Sequence, residues 1–385
     1  MCEMRDGTTR RPVTAQGPRR RRLTALSVSV ATAAALGWLP ACASVTATTA
    51  GSAATAPAGR APAAAATASP TALPGAAGGP AACVSGTCWV DVSVATAWVK
   101  PWYPRGVDKP ALGNPAHPAT WVQGMSLAQK SWLVGRLETQ ARYGTKVIVI
   151  GHWRNWTHVA IPSQPTNRDS RGYPGWIPAV QLTRTAPTGA ATVAMIRPAV
   201  AWLWSSWNGA GVAGSKVMLA SYGTSLPVVT ATATHVEVRL IGGRAVAVRR
   251  GDVVLHAAGA SWGATRARVV AEARKFLGLP YLWAGVSGFG FDCSGFTYSV
   301  YRAYGLTLSR DADQQAVHGT PVTRGALRPG DLVFFRESAD GIIGHVGIYV
   351  GNGNMIDAPN TRARIRIEPV ASFPYYAGAR RYLSR

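Results

Sequence analysis

The sequence has few cysteines and few acidic residues. Its 385 residues include 5 cysteines and 17 aspartates and glutamates, against 40 lysines and arginines. No group of His, Cys and Asp residues has the spacing of a metal site, and no zinc-finger, recognition-helix or RNP-like pattern is present. We therefore expect no metal or other cofactor and no nucleic-acid partner.

The shortage of acid leaves a formal net charge of +23, carried almost wholly by arginine because lysine is scarce. Such an excess indicates attraction to an anionic polymer, for example a membrane surface or an acidic cell wall. The alternative is that a chain rich in arginine, alanine and glycine reflects the codon composition of its genome together with a basic leader. The composition leaves both explanations open.

Residues 1–42 have the pattern of an export signal. Four arginines (19–22) precede a mostly apolar stretch from Leu23 to Leu39, which is too short and too rich in alanine and serine for a membrane span. The segment "LPAC", which ends at Cys42, resembles a lipobox, and lipidation of Cys42 would anchor the protein to a membrane. The same residues equally fit an ordinary signal-peptide cleavage site. We therefore expect an exported protein, either membrane-anchored or secreted.

The next three segments differ in amino-acid composition and in the pattern of their apolar residues. Residues 43–88 are rich in alanine, proline and threonine and have almost no large apolar side chains, which predicts a disordered tether. Runs such as "KVIVIGHW" (146–153) and the alternating hairpin "HVEVRLIGGRAVAVRR" (235–250) predict short strands. We assign these strands to two small all-β barrels, residues 89–187 and 188–260.

Residues 261–385 predict a third domain, of the α+β class. "TRARVVAEARKFLG" (265–278) has a threonine N-cap, a glycine stop and one apolar helical face, which comprises Val269, Val270, Ala273, Phe276 and Leu277. A second helix is expected to start at or just before Cys293. "DLVFF" (331–335), "HVGIYVG" (345–351) and "NMIDAP" (354–359) read as strands, so helices precede an antiparallel sheet.

Cys293 stands apart from the other cysteines. Cys2 and Cys42 lie in the leader, and Cys83 and Cys88 flank a Ser-Gly turn where they would pair in an oxidising compartment. A leftover thiol in an exported protein is either buried and inert or kept for chemistry. Its place at a predicted helix N-terminus favours chemistry, because the unpaired N–H groups and the helix dipole stabilise the nucleophilic thiolate.

The strand "HVGIYVG" supplies a base for this thiol. His345 shares one face of the strand with Gly347 and Tyr349, whereas the alternate residues are apolar and face the core. His345 is therefore expected to point away from the core and towards Cys293.

A third group is expected to orient the imidazole. If "GNG" (351–353) is a three-residue hairpin loop, Val350 pairs with Asn354, and Asp357 falls on the His345 face within diagonal reach. With a two-residue loop Asp357 would face the core instead. The register thus predicts a Cys293–His345–Asp357 triad.

At these residues the sequence resembles the NlpC/p60 cysteine peptidases, papain-like enzymes that cut peptidoglycan stem peptides. The matching segments, in family order, are "YLWAG", "FDCSGF", "LSRDADQQ", "LRPGDLVFF", "GHVGIYVGNG" and "MIDAP". The resemblance implies a papain-like fold with Cys293 as nucleophile, His345 as base and Tyr281 beside the oxyanion. Two positions depart from the family: Asp357 stands where histidine is frequent, and Ala284 where glycine is usual.

A narrower resemblance covers the β-rich region. "RLETQARYGTKVIVI", "VAIPSQ" and "GYPGWIP" are similar to the bacterial SH3-like domain of γ-D-glutamyl-L-diamino acid endopeptidases that require a free N-terminal L-Ala. The resemblance implies that Glu138, Tyr173 and Asp292 bind the substrate amine, whose three donors two carboxylates and a phenol can satisfy. The structural alternatives are a surface glutamate, a barrel-core tyrosine and a helix-capping aspartate.

Three further residues are weaker substrate-binding candidates. Ser294 and Asp311 are positioned to hold the remaining polar groups of the peptide. Arg310 either does the same or pairs only with Asp311.

The expected protein is an exported peptidoglycan hydrolase that acts on stem peptides or muropeptides at the cell wall. Two alternatives stay open. The same triad would also suit an amidase or another stem-peptide hydrolase that acts on intact wall. The SH3-like domains would also suit a non-catalytic wall-binding module.

Overall fold

The computed structural model describes residues 83–208, 214–260 and 263–383. The predicted signal peptide, Cys42 and the tether up to residue 82 lie outside the described residues. Among the helices that the structure describes, none is both long and apolar enough to cross a membrane.

The first part of the described chain is a seven-stranded antiparallel sheet in the order β3-β2-β6-β5-β4-β1-β7. Its strands are β1 (Thr87–Val90), β2 (Val94–Trp98), β3 (Leu137–Arg142), β4 (Lys146–Trp153), β5 (Trp156–Ile161), β6 (Tyr173–Pro178) and β7 (Leu182–Thr183). Two short helices, α1 (Pro118–Gly124) and α2 (Leu127–Ser131), lie between β2 and β3. The sequence analysis missed these helices.

The start of this sheet corrects the predicted boundary at Trp89. Cys83 and Cys88 form the expected disulfide and are both buried. Thr157 donates a 2.9 Å hydrogen bond to the Cys83 carbonyl, which fixes the chain before β1 begins at Thr87. The last residues assigned to the tether therefore belong to the folded part.

The second part is another seven-stranded antiparallel sheet, in the order β10-β9-β13-β12-β11-β8-β14. Its strands are β8 (Thr192–Ile196), β9 (Val200–Trp204), β10 (Lys216–Ser221), β11 (Ser225–Ala231), β12 (His235–Arg239), β13 (Ala245–Arg249) and β14 (Val253–Ala257). The predicted hairpin is confirmed: β12 pairs with β13, and Gly242 and Gly243 both have positive φ in the turn.

The third part combines helices with a six-stranded antiparallel sheet in the order β17-β22-β18-β19-β20-β21. Its helices are α3 (Arg266–Arg274), α4 (Cys293–Arg302) and α5 (Ala312–Val317). Its strands are β15 (Val286–Ser287), β16 (Gly290–Phe291), β17 (Thr320–Val322), β18 (Leu332–Arg336), β19 (Ile343–Gly351), β20 (Asn354–Asp357), β21 (Arg366–Pro369) and β22 (Tyr376–Arg381). Helices and sheet are segregated, as in the α+β class.

The five 3-10 helices of the described residues are short. They comprise Gly106–Ala111, Ala179–Gln181, Arg250–Asp252, Arg324–Ala326 and Val370–Ser372.

Both predicted helices of the third part form, with one error in the apolar face of α3. Thr265 caps α3 by accepting from the Arg268 N–H, and Val269, Ala273 and Phe276 are buried. Leu277 is 41 % exposed, because α3 ends at Arg274 and the chain leaves the helical face.

Helix α4 is what brings Cys293 to the sheet. Its apolar residues Phe296 and Val300 pack in one core with Val346 and Ile348 of β19. Since Cys293 is the first residue of α4 and His345 lies beside Val346 on β19, this packing places the two polar side chains together.

The α+β part shares its cores with both β-rich parts. Leu282 and Phe289 pack with Trp98 and Trp121 of the first part, and Tyr222 of the second part packs against Phe276. Polar contacts accompany this packing at the β15–β16 hairpin. The Ser287 hydroxyl donates to the Gln140 side chain over 2.8 Å, and the Gly288 N–H donates to the Ser221 hydroxyl over 2.9 Å. Residues of the first sheet are therefore able to contribute to a site at the N-terminus of α4.

Candidate active site

Cys293 is an unpaired cysteine at the N-terminus of α4. It is 8 % exposed, and its Sγ lies 3.8 Å from the Gly344 carbonyl oxygen. Asp292 is the helix N-cap and accepts from the Gly295 N–H over 2.6 Å. The geometry matches the predicted helix start, so the dipole and the free N–H groups of the first turn stabilise a negative sulfur.

His345 is held between Cys293 and Asp357. Its Nε2 lies 2.7 Å from the Asp357 Oδ2, and the Cys293 side chain is near enough to raise the pKa of the ring. Phe373 stacks on the imidazole with ring centroids 4.4 Å apart and an interplanar angle of 8°. The ring lies on the strand face opposite Val346 and Ile348, as expected, but it is buried because Phe373 covers it.

The β19–β20 hairpin corrects the predicted loop. Gly351 pairs with Asn354, so Asn352 and Gly353 form a two-residue turn, and Val350 does not pair with Asn354. A register shift between Tyr349 and Gly351 compensates for the shorter loop, because a bulge adds one residue to β19. Ile348 therefore still faces Ile356, and Asp357 stays on the His345 face.

Gly347 leaves the space that this contact needs. A Cβ at Gly347 would lie 3.2 Å from the Asp357 Cβ and 2.6 Å from the Met355 Sδ. Any larger residue would push against Asp357, which supports the idea that glycine is required opposite it.

The two ionisable partners of the pair have pKa values displaced from the usual range. Burial alone would lower the pKa of His345, but hydrogen bonds to Asp357 and Cys293 outweigh it and raise the pKa to about 9. Burial raises the pKa of Asp357 to about 6, although the hydrogen bond to His345 opposes that rise. Between these values the imidazolium faces an ionised carboxylate, which is the arrangement that keeps a neighbouring thiolate stable.

Tyr281 lies beside the nucleophile, as the resemblance implies. It is 6 % exposed and forms a β-bridge with Phe291. Burial, followed by the nearby negative charges of Cys293 and Asp292, holds the pKa of its hydroxyl well above the usual range. Tyr281 therefore remains a neutral hydrogen-bond donor at any working pH. Close by, Ala284 adopts a φ of +64°, a conformation that glycine adopts without strain.

Asp292 caps the helix and also pairs with a buried arginine. The Arg310 guanidinium donates to Oδ2 over 2.6 Å and to Oδ1 over 3.1 Å, and the side chain is 1 % exposed. Arg310 also donates to the hydroxyls of Ser294 and Thr139. The expectation that Arg310 pairs only with Asp311 is therefore wrong, since its two-pronged contact is with Asp292.

Glu138, Tyr173 and Asp311 form one polar cluster at the edge of the first sheet. The Tyr173 hydroxyl donates to Asp311 Oδ1 over 3.0 Å. Arg168 pairs with both oxygens of Glu138 and donates to the Tyr173 hydroxyl over 3.2 Å. Asp311 adjoins Arg310 in sequence, so this cluster is continuous with Asp292 and Cys293.

Sequence reasoning missed three residues of this region: Arg168, Phe373 and Thr139. Arg168 lies in the irregular segment between β5 and β6, and Phe373 precedes the last strand; neither position belongs to a periodic pattern. The predicted pair of cation-binding carboxylates was the one signal in the sequence for a basic side chain nearby. Throughout residues 83–208, 214–260 and 263–383, no three His, Cys, Asp or Glu side chains group as metal ligands do.

This site is typical of a cysteine peptidase. It combines a thiol at a helix N-terminus, a histidine on the adjacent antiparallel sheet and a carboxylate that contacts the histidine. Residues 278–381 match the model of the NlpC/P60 family. The chain is 37 % identical over 307 residues to a Bacillus cereus protein named γ-D-glutamyl-L-lysine dipeptidyl-peptidase. The aligned region covers 77 % of this chain and 90 % of the relative. The chain belongs to the NlpC/P60 family of cysteine peptidases.

Two further comparisons agree. A Bacillus subtilis protein of the same name is 37 % identical over 278 residues, which cover 71 % of this chain and 90 % of the relative. A crystal structure of an NlpC/P60 family protein from Bacillus cereus superposes with a TM-score of 0.72 at 35 % identity, and covers 77 % of this chain and all of that one. The similarity thus extends over the β-rich parts as well as the α+β part.

Proposed function

We propose that this cysteine peptidase is a peptidoglycan hydrolase that cleaves the γ-D-glutamyl–diamino acid bond of stem peptides carrying a free N-terminal L-Ala. The observation that carries the proposal is His345, hydrogen-bonded to Asp357 and lying beside the Cys293 thiol at the N-terminus of α4. The names of the two Bacillus relatives support the choice of bond. We also propose that the two seven-stranded sheets are SH3-like barrels and that the catalytic domain is papain-like.

The mechanism follows from the positions of three side chains. His345 holds the proton of Cys293, and the thiolate attacks the γ-D-glutamyl carbonyl carbon to form a tetrahedral intermediate. The Cys293 backbone N–H and the neutral Tyr281 hydroxyl stabilise the oxyanion. His345 then gives its proton to the leaving amine, and water activated by His345 releases the acyl group from the sulfur.

The substrate amine is proposed to bind at Glu138, Tyr173 and Asp292. The Oδ1 of Asp292 already accepts from Gly295 and Arg310, whereas Oδ2 accepts from Arg310 and keeps a further lone pair. Ser294 and Asp311 lie next to this region and are proposed to hold other polar groups of the peptide. This remaining lone pair supports a substrate role for Asp292 beside its capping role.

The proposed place of action is outside the cytoplasm. The Cys83–Cys88 disulfide supports this placement, because disulfides persist mainly in oxidising compartments. The leader predicts export, with Cys42 as the proposed lipid-anchor position. Membrane fractionation of the full chain and of its Cys42→Ala variant tests the anchor.

Product analysis of defined muropeptides tests the proposed bond. Mass spectrometry of L-Ala-γ-D-Glu-L-Lys should show L-Ala-γ-D-Glu and lysine, whereas the N-acetylated peptide and glycan-attached stems should be cut far more slowly. Exclusive cleavage of intact stems would favour an amidase or cross-link hydrolase. Wall binding without hydrolysis of any stem would favour a binding module.

The pH profile of kcat is expected to be bell-shaped. Below a pKa of about 6 Asp357 is protonated and no longer stabilises the imidazolium, so activity should rise with pH through that value. Above a pKa of about 9 His345 has lost the proton that the leaving amine needs, so activity should fall. Initial rates between pH 4.5 and 10.5 at saturating free tripeptide measure both limbs, because the peptide's own amine, which loses its proton near about pH 8, then affects KM rather than kcat. A flat profile across pH 8–10 would contradict the assigned role of His345.

The Asp357→Asn variant is expected to lose about 10²-fold in kcat/KM, the order of magnitude that a positioned acid–base group supplies. The amide carries no charge to stabilise the imidazolium, so the pKa of His345 should fall and the alkaline limb should move to lower pH. The Asn354→Ala variant, at the half-buried start of the same strand, serves as control. An unchanged alkaline limb in Asp357→Asn would remove Asp357 from the triad.

A further inference from the structure

The polar cluster of Glu138, Tyr173 and Asp311 already holds a cation, the Arg168 guanidinium. Arg168 pairs with both carboxylate oxygens of Glu138, with Nη2 to Oε1 at 2.9 Å, and donates to the Tyr173 hydroxyl over 3.2 Å. Its guanidinium carbon also lies 5.2 Å from the centre of the Tyr173 ring. These contacts are the ones that an ammonium group at Glu138 and Tyr173 would make.

The exposed fractions of the side chains differ between the partners. The side chain of Arg168 is 41 % exposed, whereas that of Glu138 is 12 % exposed and Tyr173 is 4 % exposed. Arg168 therefore covers a carboxylate and a phenol that are fixed in strands. A ligand arriving from solvent meets the guanidinium before it reaches either of them.

The segment that carries Arg168 is anchored at its base and free at its tip. Gln164 donates to the Gln140 carbonyl over 2.7 Å and accepts from Thr139, and the Pro165 carbonyl accepts from the Arg310 N–H. Beyond this base, the hydrogen bonds of residues 166–171 are within the segment, apart from those of Arg168. The Arg168 side chain can thus leave Glu138 without disturbing the anchored base.

We propose that Arg168 is a displaceable occupant of the substrate's ammonium subsite and thereby a specificity-determining residue. This inference rests on the proposed function, because it assumes that the free amine of the peptide binds at Glu138 and Tyr173. Guanidinium and ammonium compete for the same oxygens, so the subsite opens to a ligand only when Arg168 has moved. A peptide whose amine is acylated has no charge with which to displace it.

Removing Arg168 should therefore tighten binding of the free-amine peptide. Because the pair is partly exposed, the gain should be about three- to fivefold in Kd, the upper part of the range that such an ion pair supplies. Binding of the N-acetylated peptide should not change by more than about twofold. The effect should appear in Kd and KM rather than in kcat, since Arg168 is remote from the sulfur chemistry.

Calorimetric titration of L-Ala-γ-D-Glu-L-Lys and its N-acetyl form tests the idea. The titrations use Cys293→Ala protein, which holds peptide without turning it over, with and without Arg168→Ala. Arg168→Lys retains a cation on a flexible stem and should resemble the parent. The matched control is Arg171→Ala, which removes an arginine from the same segment whose partner is the neighbouring Asp169. Steady-state KM and kcat of Arg168→Ala with Cys293 intact complete the set.

The outcomes distinguish failure of the Arg168 inference from failure of the proposed function. Tighter free-amine binding in Arg168→Ala alone supports the displaceable occupant. Unchanged or weaker binding, in a protein that does cleave the free tripeptide, overturns the Arg168 inference and leaves the proposed function standing. A parent protein that cleaves only N-acylated or glycan-attached stems overturns the proposed function itself.

Discussion

The Cys293→Ala variant is expected to release no measurable product from L-Ala-γ-D-Glu-L-Lys, with kcat reduced by about 10⁴-fold or more. The reason is that the sulfur makes the covalent bond to the acyl group, and alanine provides no atom to replace it. Tyr281 and the backbone N–H groups of α4 would remain to polarise the carbonyl, but without a nucleophile they cannot divide the reaction into two steps.

Two controls make this loss interpretable. The thermal midpoint of Cys293→Ala should stay within a few degrees of the parent, because the side chain is small and lies at the edge of the core. Cys293→Ser retains shape and a hydroxyl, yet it should be nearly as inactive, since a hydroxyl resists ionisation far more than a thiol does. Hydrolysis retained in Cys293→Ala, or a fully active serine variant, would exclude the thiolate mechanism.

The parts of the fold that the sequence predicted well are those set by local chemistry. β4 coincides with the β-branched run 146–153, and the Gly242-Gly243 turn joins β12 to β13 as expected. Helix α4 begins at Cys293 because Asp292 is a good N-cap, a preference that is visible in the sequence. In each case residues that are close in sequence determine where the element begins or turns.

The β19–β20 hairpin shows where local reasoning reaches its limit. The loop was predicted with three residues and has two, yet the face of Asp357 was predicted correctly because a bulge in β19 restores the register. A bulge depends on twist and on packing against the neighbouring strands, which the spacing of residues does not report. The His345–Asp357 contact was therefore predicted correctly from a wrong loop length.

Contacts between distant segments were beyond prediction. The pairing of Arg310 with Asp292, and of Arg168 with Glu138, joins residues that are 18 and 30 positions apart. Phe373 reaches His345 because the last strand returns to the centre of the sheet beside β18. The topology of the fold determines which distant residues pair. The sequence indicates such a pair only where a residue type needs a partner, as a buried carboxylate does.

These distant contacts also explain why the first sheet and the catalytic domain act together. Arg310 binds Asp292 next to the nucleophile and donates to the Thr139 hydroxyl on β3 over 2.9 Å. Thr139 adjoins Glu138, the proposed amine ligand. One buried guanidinium thus links β3, which carries Glu138, to the residue that precedes Cys293.

Replacing Arg310 by methionine is therefore expected to lower the free energy of unfolding by about 3–5 kcal/mol, the usual cost of removing one partner from a buried ion pair. Methionine fills much of the volume but leaves the Asp292 carboxylate with no neutralising charge. Arg171→Met is the matched control, because it breaks a two-pronged ion pair with Asp169 whose arginine side chain is 52 % exposed. That change should leave the free energy of unfolding close to that of the parent, because a surface ion pair contributes little to stability.

A double variant distinguishes lost charge compensation from lost packing. Asn is as good an N-cap as Asp, so Asp292→Asn keeps the helix start while removing the charge that Arg310 balances. Arg310→Met with Asp292→Asn should then be more stable than Arg310→Met alone in urea titrations of both proteins. If the second change adds to the destabilisation instead, the main role of Arg310 is to fill space between the two domains, and the buried charge of Asp292 does not explain why an arginine stands there.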